Sequence, residues 1–301
     1  MQNHYIKRQK NRIEYLFIGG IITLKKGDDL MPELNDTVNL ARNAVSIRYI
    51  GQEGFIFGYK NLNIAIDPYL SYYVDENCSE PVKWKRKYAP PVKPEKLGFL
   101  DYVFCTHTHY DHADPVTLGK IAKAGDKTKF VVPLPETDTF LKYGIEKKWI
   151  IGVKCNETTA LSGFSFEAIP AAHEEFHRDE NGDYRETGYI FYFGKYKFCH
   201  LGDTLVYDGL EKKITRADVA FIPVNGRDYF RNSLDILGNT DANEAAKLAK
   251  KSKVKLFVPM HHDLYEVNGE SNARVFEAAD RYNPDGKIKI FRPNETIYYA
   301  R

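Results

Sequence analysis

The segment His107-Thr108-His109-Tyr110-Asp111-His112 packs three imidazoles and one carboxylate into six residues. Imidazole nitrogen and carboxylate oxygen are borderline-to-hard ligands that suit zinc, manganese or iron, so the spacing reads as half of a two-metal site. Further ligand-type residues stand at His173 in Pro170-Ala171-Ala172-His173, at Asp203 in Leu201-Gly202-Asp203-Thr204, and at His261 and His262 in Pro259-Met260-His261-His262-Asp263. Each signal is weak alone. A lone histidine is more often a satisfied buried residue than a ligand, and a lone Gly-Asp-Thr is more often a capped turn. Their joint placement is informative, because all of them follow apolar, strand-like runs and six of the nine histidines lie in those segments. Sites of α/β sheet proteins sit beyond strand termini.

The elements that would carry these residues follow from the pattern around them. Tyr102 to Cys105 is a short apolar run, read as a buried strand. Asp114-Pro115 is a helix start, an N-cap residue with proline at the first helical position, and Gly125 is a stop. The ligands therefore occupy a strand-to-helix loop. Upstream, Val45 to Tyr59 alternates through a turn at Gly51-Gln52-Glu53-Gly54, and Ile64 to Ile66 ends at Asp67-Pro68. Residues 71–98, with Pro81, Pro90, Pro91 and Pro94, form a long loop, either a rim or lid to the site or a surface excursion. Downstream, strands are expected near 129–133, 149–153, 158–161, 164–169, 188–193, 197–200, 219–224 and 254–258, with helices near 136–143, 241–251 and 271–281 and a strand pair within 287–299. Two strand-rich halves with helices between them imply two packed sheets with helices outside.

Composition narrows the class. A formal net charge of +2 across 301 residues offers no basic field for nucleic acid. Cys78, Cys105, Cys155 and Cys199 show no CxxC pairing, which points to reduced thiols in a cytoplasmic protein and away from a cysteine zinc site. The apolar run Tyr15 to Leu24 follows a basic start but is too short to span a bilayer, and no small-x-small cleavage site follows it. Residues 1–40 read as an N-terminal extension, a peripheral strand or a loosely held segment, and 41–301 as the functional domain. The expected partner is a small-molecule substrate, with no nucleic acid and no membrane; a homo-oligomer is allowed. Nothing matches a Gly-x-Ser-x-Gly elbow, so serine hydrolysis has no support.

From about Ala44 onward the chain resembles the metallo-β-lactamase superfamily, whose hallmark is His-x-His-x-Asp-His with later His, Asp and His contributions. Within it the sequence is similar to the L-ascorbate-6-phosphate lactonase group, through Gly51-Gln52-x-Gly54-Phe55-Ile56, Ile66-Asp67-Pro68-Tyr69-Leu70, Ala172-His173-Glu174-Glu175, Leu201-Gly202-Asp203-Thr204, Val224-Asn225-Gly226-Arg227-Asp228-Tyr229-Phe230-Arg231 and Val258-Pro259-Met260-His261-His262-Asp263. The resemblance implies an α+β fold, a four-layer αββα sandwich. It also implies His107, His109 and His173 around one metal, Asp111, His112 and His261 around the other, and Asp203 bridging. His261 stands first after its strand and is preferred over His262, which is left to bind substrate or sit outside the site. Asp67 looks like the carboxylate that orients a ligand imidazole through its other nitrogen. Manganese is implied by the lactonase group and zinc or iron by the wider superfamily; the nitrogen and oxygen ligands permit all three.

The implied activity is hydrolysis. Two cations lower the pKa of a water between them toward neutrality and polarise the oxygen under attack, and Asp111 can accept a proton. The implied substrate is the lactone of a phosphorylated sugar acid such as L-ascorbate 6-phosphate. Arg227, Tyr229 and Arg231 are the first candidates for its phosphate, since guanidinium recognises phosphate bidentately, with His177 and Arg178 behind them. The alternatives are a metal-dependent phosphodiesterase of the same fold and a non-catalytic binding member.

Overall fold

The computed structural model describes residues 14–18, 21–25, 44–78, 80 and 82–300. Apolar side chains at alternate positions of a strand must be buried on opposite faces, and the chain shows what covers each face. Strand β4 (Gly54–Tyr59) puts Phe55 and Phe57 into a core between two sheets, while Ile56 enters a second core with Leu118 and Ile121 of the helix Pro115–Ala124. In the other sheet, β13 (Val219–Pro223) sends Val219 and Phe221 into the shared core, and Ala220 and Ile222 against Ala245, Ala246 and Ala249 of the helix Ala242–Lys251. Helix, sheet, sheet, helix is the result: an α+β, four-layer αββα sandwich.

The first sheet runs β1 (Glu14–Ile18), β2 (Ile21–Lys25), β16 (Thr296–Tyr299), β3 (Val45–Gly51), β4 (Gly54–Tyr59), β5 (Leu62–Ile66), β6 (Tyr102–Phe104), β7 (Lys129–Pro133), β8 (Ile150–Val153). The second runs β15 (Lys287–Ile288), β14 (Leu256–Met260), β13 (Val219–Pro223), β12 (Tyr196–His200), β11 (Thr187–Phe193), β10 (Phe164–Pro170), β9 (Thr158–Leu161). Both sheets are mixed. The strands β5 to β8 are parallel, as are β12 to β15, and the remaining pairs are antiparallel. The carboxyl ends of β5, β6, β12 and β14 lead into Asp67, the His107 loop, Asp203 and His261, which gathers the ligand-type residues at one end of the sandwich.

The inter-sheet core is an aromatic stack. Phe104 meets Phe166, Tyr189 and Phe191 at centroid distances of 4.9, 5.0 and 4.9 Å, all edge-on, and Phe55 meets Phe221 at 4.5 Å. Such contacts add about 0.5–1.5 kcal/mol each beyond area burial, and truncating one ring, as in Phe104→Ala, costs about 3–5 kcal/mol. Because Phe104 is three residues before His107, this packing also anchors the ligand loop.

Two features differ from the sequence expectation. The final strands do not pair with each other: β15 joins β14 in the second sheet, and β16 inserts between β2 and β3 in the first. Local pattern shows two strands but carries no information on which edge each will satisfy. Short helices at Leu210–Lys213 and Tyr229–Asn232 and one inside the long loop, Tyr73–Asn77, were also not expected; at four or five residues they carry too little periodicity to be read. At the N-terminus, β1 and β2 pair antiparallel and extend the first sheet; the remainder of the expected 1–40 extension lies outside the described residues. Among the described residues, no helix is long and apolar enough to cross a membrane.

Candidate metal centre

Thr106 is the first residue of the ligand loop to be fixed. Its amide and hydroxyl both donate to buried Asp67, at 2.8 and 2.7 Å, and its carbonyl accepts from the Thr187 amide at 3.0 Å. Asp114 then caps the helix Pro115–Ala124, accepting from the Val116 amide at 3.0 Å. The loop between is therefore held at both ends. Gly202, at φ +62°, packs so closely that an added Cβ would lie 2.9 Å from the Thr187 carbonyl and 3.0 Å from Thr106 Cβ, which sets the Asp203 loop directly against the His107 loop. The Ala172 amide donates to Thr204 Oγ1 at 2.9 Å and joins the His173 loop to the same wall.

The long loop is a fixed rim. The Lys87 amide donates to the Leu264 carbonyl at 2.9 Å, Tyr88 donates to Asp263 at 2.9 Å, and Tyr265 donates to Asp75 at 2.9 Å. Arg86 is buried, donates to the Ser71 carbonyl at 2.7 Å and stacks 4.5 Å from the Tyr69 ring. These bonds hold the segment that carries His261.

Two groups of ligand-type atoms result. His107, His109, His173 and Asp203 form one and Asp111, His112 and His261 the other, with the candidate ligand atoms within 4.8 Å of one another in each. Asp203 lies between them: Oδ2 is 3.5 Å from His173 Nε2 and 3.4 Å from His261 Nε2, and Oδ1 is 3.5 Å from His112 Nε2. Asp111 Oδ2 is 3.7 Å from both His112 Nε2 and His261 Nε2. His112 bonds Asp67 through Nδ1 at 3.0 Å. That bond makes Nδ1 the donor, so in the neutral ring Nε2 is the lone pair aimed at the centre. The geometry thus brings together His107, His109, Asp111, His112, His173, Asp203 and His261, with Asp67 behind His112. His262 is buried but belongs to neither group.

The electrostatics follow from crowding. Burial, reinforced by the neighbouring His112 and His109, holds His107 well below the usual imidazole range, and burial pushes His173 down to about 4. Burial also lowers His112, but Asp203, Asp111 and the bonded Asp67 outweigh it and hold it well above. For Asp203 burial raises the carboxyl, and His261 and His112 overcome it to hold it well below. His107 Nε2, His112 Nε2 and Asp203 Oδ1 are buried without a hydrogen-bond partner. A buried polar atom left unpaired costs about 1–3 kcal/mol. His107 and His173, kept neutral by burial, and the ionised Asp203 carboxylate converge on the centre together with His112 Nε2, whose proton a bound cation would displace; this donor set fits divalent metal ions.

The other predicted residues are placed differently. Arg227 makes a bidentate pair with Glu244, at 2.8 and 2.9 Å, and Arg231 is buried on Asp228, at 2.8 Å, and on the Asn225 carbonyl. Both guanidinium forks are taken up inside the chain, because Glu244 and Asp228 are each the acidic residue of a helix N-terminus beside them. Tyr229 is 89% exposed. His177 pairs with Glu186 at 3.2 Å, and Arg178 stacks 4.3 Å from Tyr184.

Sequence reasoning missed three buried residues here. Glu53 is fully buried, with both carboxylate oxygens unpaired and Oε2 3.8 Å from His112 Nδ1. Its carbonyl accepts from His200 Nε2 at 2.9 Å, and burial pushes His200 down to about 4. Gln52 is 1% exposed and reaches Asp111. The Gly51-Gln52-Glu53-Gly54 stretch carried a usable signal: a glutamate between two glycines, at the same end of the sheet as the ligands, is an unusual choice for a mere turn. Gln52, Asp67 and His261 all have positive φ, +58°, +44° and +56°. For a residue with a Cβ that conformation costs roughly 1–2 kcal/mol, and three such residues converge on one centre.

A family profile, the beta-lactamase superfamily domain, matches residues 46–261, and the chain belongs to that family. Within it, the chain is similar to a UPF0173 metal-dependent hydrolase of Archaeoglobus fulgidus, 24% identical over 265 residues covering 85% of this chain and 100% of the relative. A second such hydrolase, from Thermoplasma volcanium, is 29% identical over 210 residues, covering 68% and 78%. Among solved structures, Igni18, a metallo hydrolase of Ignicoccus hospitalis, aligns with a TM-score of 0.63 and 20% identity, covering 86% of this chain and 100% of that one. An isothiocyanate hydrolase from Delia radicum gut bacteria aligns with a TM-score of 0.65 and 19% identity, covering 83% and 97%. These structural matches establish the metallo-β-lactamase fold. Fold, family and relatives together define a metal-dependent hydrolase.

Proposed function

We propose that this centre hydrolyses a carboxylic ester of a small molecule, and in particular opens a lactone ring. The observation that carries the reading is Asp203 standing between two groups of imidazole and carboxylate ligand atoms. His107, His109 and His173 would hold one divalent ion, manganese, zinc or iron, and Asp111, His112 and His261 the other, with Asp203 shared. Bound there, such ions activate water and polarise the carbonyl oxygen under attack. The protein's own part is orientation. Asp67 fixes the His112 tautomer, the aromatic core and Thr106 fix the loop, and the rim holds His261. Asp111, whose side chain is 21% exposed, is the most open carboxylate of the two groups and is assigned as proton acceptor.

A phosphorylated sugar acid is the lactone substrate to test first. The Tyr229 phenol is free to meet its phosphate, whereas Arg227 and Arg231 would first have to leave Glu244 and Asp228. The test is steady-state hydrolysis by protein reconstituted with each metal, using L-ascorbate 6-phosphate, an unphosphorylated lactone and bis-p-nitrophenyl phosphate. Turnover of a lactone supports the reading. Turnover of the diester alone replaces it with phosphodiester hydrolysis, and metal-loaded protein inert toward all three points to a binding member.

A further inference from the structure

Gln52 occupies the two-residue tip between β3 and β4, in the left-handed region at φ +58°. A glycine would adopt that conformation without strain, so the side chain must contribute something to be worth placing there. Three bonds show what it touches. The amide Nε2 donates to Asp111 Oδ2 at 2.8 Å. Its main-chain carbonyl, which any residue at this position would supply, accepts from the His261 amide at 3.0 Å and from the Tyr49 hydroxyl at 3.3 Å. Nε2 also lies 3.4 Å from His261 Nδ1 and 3.3 Å from His261 Nε2. Near-equal distances to both ring nitrogens put the amide alongside the imidazole rather than on the lone-pair axis of either one. Gln52 therefore braces two of the three side chains of one group, Asp111, His112 and His261, without standing in the direction along which His261 would bind an ion.

The remaining side chain of that group, His112, is oriented by Asp67. In the other group, His107 bonds its neighbour Thr106 at 3.0 Å, and His173 and His109 face each other at 3.3 Å. No bond joins Gln52 to His107, His109 or His173.

We propose that Gln52 is a positioning residue for the second metal alone: it holds the Asp111 carboxylate and the His261 ring in the arrangement that captures the ion between Asp111, His112 and His261. This rests on the two-metal reading above. Removal of a group that orients a metal ligand typically weakens metal affinity 10- to 100-fold, and here the loss should fall on one ion of the two.

The test uses the full chain, stripped of metal and titrated with zinc or manganese against a chromophoric chelator. Two variants guard against misfolding. Gln52→Gly removes the amide and relieves the backbone, and Gln52→Asn keeps an amide, tolerates positive φ and falls one methylene short of Asp111. The result expected is a first equivalent bound as in the wild type, a second weakened about 10- to 100-fold, and a metal-free melting temperature for Gln52→Gly that is not lower. Equal weakening of both equivalents in the two variants, or no weakening in either, overturns the assignment while leaving a two-metal wild type intact. A wild type that takes up no second equivalent overturns the assignment together with the two-metal reading beneath it.

Discussion

The ligand loop at 107–112 and the segment at 226–231 are both dense in polar residues that follow a strand, and the folded chain treats them in opposite ways. In the first, His107 Nε2, His112 Nε2 and, facing them, Asp203 Oδ1 are buried with nothing to bond. In the second, Arg227 and Arg231 carry full charge and have it matched, by Glu244 and Asp228. A satisfied charge near a helix N-terminus organises a loop. Unsatisfied lone pairs converging in the interior are expensive, and a cation is what relieves them. Residue type alone does not separate these cases; the state of the hydrogen-bond inventory does.

Four outcomes would break or sharpen that contrast. The largest effect is expected for Asp203→Ala, which removes the side chain that stands between both groups: kcat/KM should fall on the order of 10³-fold, equivalent to ~4 kcal/mol, in steady-state assays of metal-loaded protein, with metal content lowered as well. Asp67→Asn should act next, through His112, costing about 10- to 100-fold in metal affinity or rate while the far-UV circular dichroism stays native. If Asp67→Asn were silent, orientation through Nδ1 would have no role.

The third concerns pH. His173 and His200 are each held near 4 by burial, below the 6.5 of an exposed imidazole. Both must stay neutral in the folded chain, so the unfolded chain takes up more protons. Their neutral forms cost nothing above pH 6.5, and stability is lost as pH falls from 6.5 toward 4, by roughly 2 kcal/mol per histidine between 6.5 and 5. Urea unfolding of metal-free protein at stepped pH should show it. The fourth and smallest effect is on the satisfied side. Arg231→Met leaves the buried Asn225 carbonyl short of a donor and should cost about 2 kcal/mol of stability. Arg227→Ala loses a half-exposed pair worth about 1 kcal/mol or less. Neither should change kcat on an unphosphorylated lactone beyond about threefold, an allowance of under 1 kcal/mol. A selective rise in KM for a phosphorylated lactone would show that these arginines leave their partners to bind substrate.

The strands that deliver the site were legible as short apolar runs, most of them ended by Pro, Gly or Asp, and the ligand residues because imidazole and carboxylate at four strand ends form a joint pattern. The Asp114 cap appears where the residues announce it, and the helix expected over 241–251 forms as Ala242–Lys251. What was hidden depends on contacts between distant segments. Gln52 and Glu53 read as a turn, since their partners Asp111, His112 and His200 lie about 60 to 150 positions away. The separation of β15 from β16 is a matter of which sheet edge is free. For Arg227 and Arg231, nearby acids were visible in sequence, but the geometry that closes each fork was not.

The most direct test of the account is a count of metal ions per chain after reconstitution of wild-type protein with manganese or zinc, by inductively coupled plasma mass spectrometry against an accurate protein concentration. Two tightly held ions per chain are predicted, falling to one or fewer in Asp203→Ala. A wild-type chain that holds none, under conditions where it is folded, would contradict the centre described here.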